Sequence, residues 1–326
     1  MMKKITVIIP VMNEEGNIEK LVDELSYSFA VLPYRFSILF VDEGSTDGTP
    51  QVLKKVTKTY NNVHYILLSK NFGHQNALKA GIDAAEGDAV IMMDGDMQHP
   101  VEVIPQLLQK FEQGFEIVNT IRKDNGDSTG WMKRASSRFF YKQINRLADI
   151  KIRSGSADFR LVSRKVLNEL KKLHEYDIFY RGLIVWVGFK QTEIEYEPRK
   201  RFSGASKYSL SKMIRFSVQG ITSFSVKPLH VAVYIGIAVS ILSLLYIPYV
   251  LYSLFAGIAV SGWASTIVTV AFFGGLQLMV LGIIGIYIGK VFMFTKERPH
   301  YIVRETNLQP GRNEETKEPR YSIAEF

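Results

Sequence analysis

Ala89-Val90-Ile91-Met92-Met93-Asp94-Gly95-Asp96-Met97-Gln98 is the stretch that decides how this chain is read. Its first five residues form an apolar run that predicts a fully buried β-strand. Two carboxylates and an amide oxygen then fall within five residues, separated by a glycine. Hard oxygen donors at the end of a buried strand suit Mg²⁺ or Mn²⁺, and an ion held in this way commonly also binds a substrate diphosphate. Glycine lets the backbone approach a ligand closely. A polar turn that merely ends a strand accounts for such a triplet in isolation. The rest of the chain favours the first reading.

Working outward, Ile5–Ile9, Phe36–Val41, Val63–Leu68 and Glu116–Thr120 are further strand-like runs. Between them lie helical patterns. Residues 15–29 place Ile18, Leu21, Val22, Leu25 and Phe29 on one face. A second helix runs to about Tyr60, a third holds Ala77, Leu78, Ala80, Gly81 and Ala84, and a fourth begins near Pro100, a residue suited to a first turn. This alternation predicts an α/β fold with a mostly parallel sheet. Ligands in such sheets bind beyond the carboxyl ends of the strands. Pro10, Asp42 and Asp94 all end strands and should line one crevice. Neither G-x-G-x-x-G nor a Walker A sequence is present, so charge and metal would have to do what glycine amides do in those loops.

The 326 residues allow one large domain with an appendage, and the absence of cysteine excludes disulfides and thiol catalysis. The formal charge is +8, yet no Lys, Arg, Asp or Glu occurs from Pro228 to Gly289. Leu229–Tyr252 and Thr266–Ile288 are uncharged runs of 24 and 23 residues. The first would make about 36 Å of helix, enough for a hydrocarbon core of ~30 Å. The connection, Ser253–Ala264, also lacks Lys and Arg. Lys212, Arg215 and Lys227 flank one side, and Lys290, Lys296, Arg298 and Arg304 the other. By the positive-inside rule both ends face the cytoplasm. Ser209–Val226 fits an amphipathic interface helix. The expected layout is a catalytic domain over 1–208, an interface helix over 209–226, a two-helix membrane hairpin over 227–290 and a cytoplasmic tail over 291–326, disordered after about Asn307. A cleaved signal peptide is not expected. Glycines 274, 275, 282, 285 and 289 allow close helix contact, within one chain or in a homo-oligomer.

Pro10-Val11-Met12-Asn13-Glu14, Val41-Asp42-Glu43-Gly44-Ser45-Thr46-Asp47-Gly48-Thr49 and Asp94-Gly95-Asp96 together resemble the GT-A fold of glycosyltransferase family 2. Arg201-Phe202-Ser203-Gly204-Ala205-Ser206-Lys207-Tyr208 narrows the resemblance to the polyprenyl-phosphate glycosyltransferases, the group that includes bacterial bactoprenol glucosyltransferases and dolichol-phosphate mannose synthase. The resemblance runs over roughly residues 4–300.

It implies that Pro10, Met12, Glu14, Phe40 and Asp42 surround the nucleoside. Asp94 and Gly95 would lie beside the ribose and diphosphate. Asp96 and Gln98, helped by Asp94, would hold Mg²⁺ or Mn²⁺. Asp158, in Ser154–Arg160, stands at the family's candidate base, so Asp96 and Asp158 are the catalytic candidates; Ser163 is better placed than Asp158 to cap the helix that follows. Many members have two aspartates where this chain has Asp42-Glu43. Arg122, directly after a strand, is the best phosphate candidate, with Arg134 and Arg138 in or beside a helix over about 129–147. Arg201 and Lys207 would add contacts to phosphate, although attraction to anionic lipid headgroups also accounts for them.

The expected activity is inverting transfer of one sugar, UDP-glucose being the first donor to test, to a polyprenyl phosphate such as undecaprenyl phosphate. The enzyme would sit in a bacterial inner membrane, and no nucleic-acid partner is expected. GDP-mannose is the alternative donor. A processive synthase of the same fold would carry Gln-x-x-Arg-Trp, whereas this chain has Gln143-Ile144-Asn145-Arg146-Leu147. A non-catalytic scaffold would have lost acidic site residues, and Asp94, Asp96, Gln98 and Asp158 are intact.

Overall fold

The computed structural model describes residues 2–123, 153, 155–175, 177–199, 222–223, 225–257 and 262–308. The first half follows the alternation read from the sequence: β1 (Lys4–Val11), α1 (Ile18–Ala30), β2 (Arg35–Asp42), α2 (Thr49–Thr59), β3 (Val63–Leu68), α3 (His74–Ala84), β4 (Ala89–Met92), a 3-10 turn (Val101–Val103), α4 (Ile104–Glu112) and β5 (Ile117–Arg122). The five apolar positions named for α1 are all buried. Pro100 precedes the short 3-10 turn, and α4 proper begins after it, with Pro105 in its first turn.

β6 (Ser156–Ser163), α5 (Arg164–Lys172), α6 (Tyr180–Trp186) and β7 (Gln191–Tyr196) follow. Ser163 caps α5, its hydroxyl accepting from the Val166 N–H at 3.4 Å. Two long helices come next, α7 (Lys227–Phe255) and α8 (Trp263–Thr295), then β8 (Val303–Thr306).

The eight strands form one sheet in the order β7-β5-β6-β4-β1-β2-β3-β8. It is mixed and mostly parallel: β6 runs against β4 and β5, and β8 runs against β3. The reversal of β6 matters for the site. Met92, the last residue of β4, pairs with Arg160, so the start of β6 lies beyond the carboxyl end of β4. Asp158 therefore reaches the same end of the sheet as Asp94. One face of the sheet packs on α1, α2 and α4, the other on α3, α5 and α6. With both faces covered, the central strands read as continuous apolar runs.

Among the described residues, Phe272–Thr295 is the helical stretch long and apolar enough to cross a membrane, and its side chains are not buried against the rest of the protein. The helix that holds it continues past the expected end at Ile288. Lys290 forms an ion pair with Asp177 at 3.1 Å and donates to the Ser223 hydroxyl at 3.1 Å, which ties this helix to the sheet domain. The amphipathic segment expected over 209–226 lies mostly outside the described residues, as do residues 309–326.

β8 was not anticipated. Four residues with only one β-branched pair of positions inside a charged segment carry little strand signal. Tertiary contacts make the strand: Glu305 accepts from the Tyr65 hydroxyl at 2.9 Å and pairs with Lys54 at 2.6 Å, and the Asn307 side chain accepts from the Tyr65 N–H at 2.8 Å.

Candidate active site

Three loops at the carboxyl end of the sheet are laced together by the residues that made the sequence distinctive. The Asn13 N–H donates to Ser45 Oγ at 2.9 Å, the Thr46 N–H to Asn13 Oδ1 at 2.8 Å, and the Glu14 N–H to Thr49 Oγ1 at 2.9 Å. Ser, Thr and Asn recur here because short polar side chains satisfy backbone groups that turns leave unpaired. Gly44 has φ +83, and a Cβ there would lie 2.6 Å from the Lys70 carbonyl carbon. The loop after β2 thus packs directly on the loop after β3.

Of the nucleoside candidates, Pro10 is buried, Met12 is half-buried with its sulfur 3.1 Å from the Asn71 amide, and the Glu14 carboxylate accepts from the Asn17 amide. Asp42 is fully buried, and its carboxylate accepts from the Ser45 N–H at 3.2 and 3.3 Å. Burial raises its pKa against the lowering effect of those bonds. Phe40 is different. It lies two residues before the strand end, wholly buried in the core with Ile9 and Leu53, and the structure does not bring it to the crevice.

The acidic stretch alternates. Asp94, Asp96 and Gln98 are half-buried, while Gly95, Met97 and His99 between and after them are buried. The three oxygen donors therefore share the open side of the segment. Met97 achieves this with a left-handed φ of 62°. Gly95 is needed because a Cβ there would meet the Val11 side chain at 2.6 Å. The donor set is all oxygen and fits a hard divalent cation. Among the described residues, no group of three or more His, Asp or Glu is arranged so as to hold a metal ion by itself. The donors are instead turned to protein partners: the Gln98 N–H donates to Asp96 Oδ1 at 3.1 Å, and Arg122 donates to Gln98 Oε1. A bound cation would take the place of such partners. The buried Arg122 Nε has no hydrogen-bond partner among the described residues, which leaves one cationic donor beside the acidic stretch for an anion.

Two histidines that belong to none of the sequence motifs bracket Asp94. The Asp94 N–H donates to His99 Nδ1 at 3.0 Å, so the proton of that imidazole sits on Nε2, which faces Asp94 Oδ2 at 3.6 Å. Burial holds the His99 pKa down, and its ring stacks on Phe159 at 5.1 Å. His74 faces carboxylates with both nitrogens: Nδ1 lies 3.0 Å from Glu43 Oε1, and Nε2 lies 3.4 Å from Asp94 Oδ1. Burial opposes its charge, but the Glu43 bond and the Asp94, Glu43 and Asp158 carboxylates together push its pKa up to about 9. In the metal-free protein the charged imidazole therefore adds stability in full below its ordinary pKa of 6.5, and loses it as pH rises through about 9. Thermal melts of wild type and His74→Asn from pH 6 to 10 should converge at the alkaline end. A constant gap would refute the assignment. Nothing in sequence spacing links His74 to Glu43 and Asp94.

Asp158 is almost fully buried between two guanidinium groups. Arg160 donates to Oδ1 at 3.1 Å, and Arg181 makes a two-point contact, Nε to Oδ1 at 3.1 Å and Nη2 to Oδ2 at 2.9 Å. Burial would raise its pKa, but Arg181 and then Arg160 outweigh this and hold the carboxyl well below the usual carboxylate range. Arg134, Arg138, Arg201 and Lys207 lie outside the described residues.

The Glycosyl transferase family 2 model matches residues 6–171, which contain both the laced loops and the acidic stretch. The chain belongs to glycosyl transferase family 2. Similar proteins include the uncharacterized glycosyltransferase YkcC of Bacillus subtilis (strain 168), 40% identical over 92% of this chain and 93% of that one. The SfII prophage-derived bactoprenol glucosyl transferase of Shigella flexneri is 37% identical over 93% of this chain and 98% of that one. Among solved structures, the mannosyltransferase PcManGT from Pyrobaculum calidifontis in complex with GDP-Man and Mn²⁺ aligns over 91% of this chain and 87% of that one, with a TM-score of 0.50 and 14% identity. That likeness is one of fold.

Proposed function

We propose that this chain transfers one glucose from UDP-glucose to a polyprenyl (bactoprenol) phosphate, with inversion at the anomeric carbon. One observation carries the reading. The likeness to the Shigella flexneri bactoprenol glucosyl transferase runs through 93% of this chain, so it includes the apolar C-terminal helix as well as the sheet. A soluble acceptor would give no reason to keep that helix.

In this reading a phosphate oxygen of the lipid attacks the anomeric carbon as the bond to the UDP oxygen breaks, and UDP departs with the electron pair. The lipid phosphate is already anionic near neutral pH, so no strong base is required. Asp158 then serves as the buried carboxylate that fixes Arg181, and its depressed pKa suits that task better than proton removal. Asp94, Asp96 and Gln98 would hold Mg²⁺ or Mn²⁺, which supplies Lewis-acid stabilisation to a leaving diphosphate. Arg122, with its open Nε, takes a phosphate oxygen. Arg138, Arg201 and Lys207 complete the phosphate-binding set. Pro10, Met12, Glu14, Asp42 and Gly95 line the nucleotide side.

α7 and α8 span the membrane as a hairpin in this reading. Their 29 and 33 residues give about 44 and 50 Å of helix, more than a ~30 Å core needs. The basic flanks at Lys227, Lys296 and Arg298 put both ends and the catalytic sheet on the cytoplasmic side of a bacterial inner membrane. The glycines along α8 are open on their Cβ side and allow a second copy to pack there.

The test is direct. The full chain in detergent is given undecaprenyl phosphate, Mn²⁺ or Mg²⁺, and separately UDP-glucose, UDP-galactose, UDP-N-acetylglucosamine or GDP-mannose. Mass spectrometry should find one glucose on one phosphate with UDP-glucose, and none after chelation. A product carrying two phosphates, or product with another donor alone, would overturn the reading.

A further inference from the structure

Glu43 is an unexpected place for a charge. It is 6% exposed, and its N–H donates to the Val11 carbonyl at 2.9 Å, which fixes the backbone beside the strand end. Gly44 is pressed against Lys70, so the loop has no room to swing Glu43 outward. Its carboxylate instead spans to His74 on a different element.

His74 is equally constrained. It opens α3, whose Ala77, Leu78 and Ala80 are buried and whose Gly81 would meet Ile8 with any Cβ, so the helix is seated firmly on β1. A histidine facing carboxylates in the first turn of a helix is opposed by the helix dipole. Helix stability therefore gives no account of it. The Asp94 carboxylate does: one oxygen faces His74, the other faces His99, and the ring of His99 is clamped by Phe159.

We infer that Glu43 and His74 are positioning residues for Asp94: Glu43 fixes the imidazole of His74, and His74 sets the plane in which Asp94 presents its oxygens to the metal–diphosphate part of the donor. This rests on the function proposed above. Outer partners that orient metal-ligating carboxylates commonly change metal affinity or activity by about 10–100-fold when removed. Length is the decisive property of Glu43. A side chain one methylene shorter would leave His74 unsupported, whereas glutamine has the same reach and an accepting oxygen.

Binding of Mn²⁺ together with UDP, read by calorimetry and by the spin resonance of bound Mn²⁺, tests this without turnover. The full chain in detergent is compared with Glu43→Asp, Glu43→Gln and His74→Ala. Glu43→Asp and His74→Ala should weaken Mn²⁺ binding at least about tenfold, with melting temperatures within a few degrees of wild type. Glu43→Gln should stay close to wild type. Variants that all bind like wild type, or an affinity that falls only in step with the melting temperature, would sink the positioning role alone. A wild type that binds no Mn²⁺ with UDP would overturn the function reading and this role with it.

Discussion

Asp158→Asn should destabilise the protein by about 3–5 kcal/mol, the usual cost of removing one partner from a buried ion pair. The change keeps the shape but deletes the charge that two guanidinium groups share. Arg160 has a side chain only 2% exposed, so its charge would be left in the interior facing neutral acceptors such as the Ala157 carbonyl. Arg181, 24% exposed, would lose half of a two-point contact and turn towards solvent. Denaturant melts should show the loss, and sugar transfer should fall with it because Arg181 is no longer held. A variant as stable as wild type but inactive would instead mean that Asp158 works on protons. The pH dependence follows from the sign of the shift. The folded pKa lies below the unfolded one, so this contribution is complete above the ordinary carboxylate range and is lost only as pH falls towards the depressed value. From pH 5 to 8 Asp158 should add no slope to stability.

Asp96→Ala should have the opposite profile. Asp96 is half-buried on the open side of its segment, and its carboxylate accepts from the Gln98 N–H. Its removal should cost little stability. If it holds the cation, transfer should drop at least about 100-fold, because Lewis-acid stabilisation is worth several kcal/mol and each 1.36 kcal/mol is tenfold in rate. Steady-state transfer measured with saturating UDP-glucose, alongside a thermal melt, separates the two quantities. Unchanged transfer would refute the metal assignment.

The contrast between these residues explains what the sequence could disclose. Buried strands and amphipathic helices write their geometry as periodicity, so β1–β5 and the buried face of α1 were legible, as was the shared strand end of Asp42 and Asp94. Ser163 was legible as a cap because capping is local. Partners distant in sequence leave no such trace. Nothing in the spacing couples Asp158 to Arg181, or Asp94 to His74, although those pairs govern the chemistry of both carboxylates. Phe40 shares a strand face with Asp42, but it lies two residues further from the strand end and is wholly buried, a difference of depth that residue type alone does not show. β6 was not read as a strand from the sequence, and its reversal was hidden with it, since a strand pattern carries no direction.

The strand at Val303–Thr306 has a consequence for how the protein is made. Tyr65 and its partner Glu305 are 240 residues apart, and both long apolar helices lie between them. A ribosome exposes β3 early, and its edge then stays open until the last part of the chain emerges. An open apolar edge is a template for pairing with the wrong chain. Completion of the sheet is thereby made conditional on disposal of the apolar helices, and a chain that stalls before residue 303 exists only as an unfinished sheet with a sticky margin. The catalytic half and the apolar half are thus one folding unit in time, even though the sequence separates them cleanly.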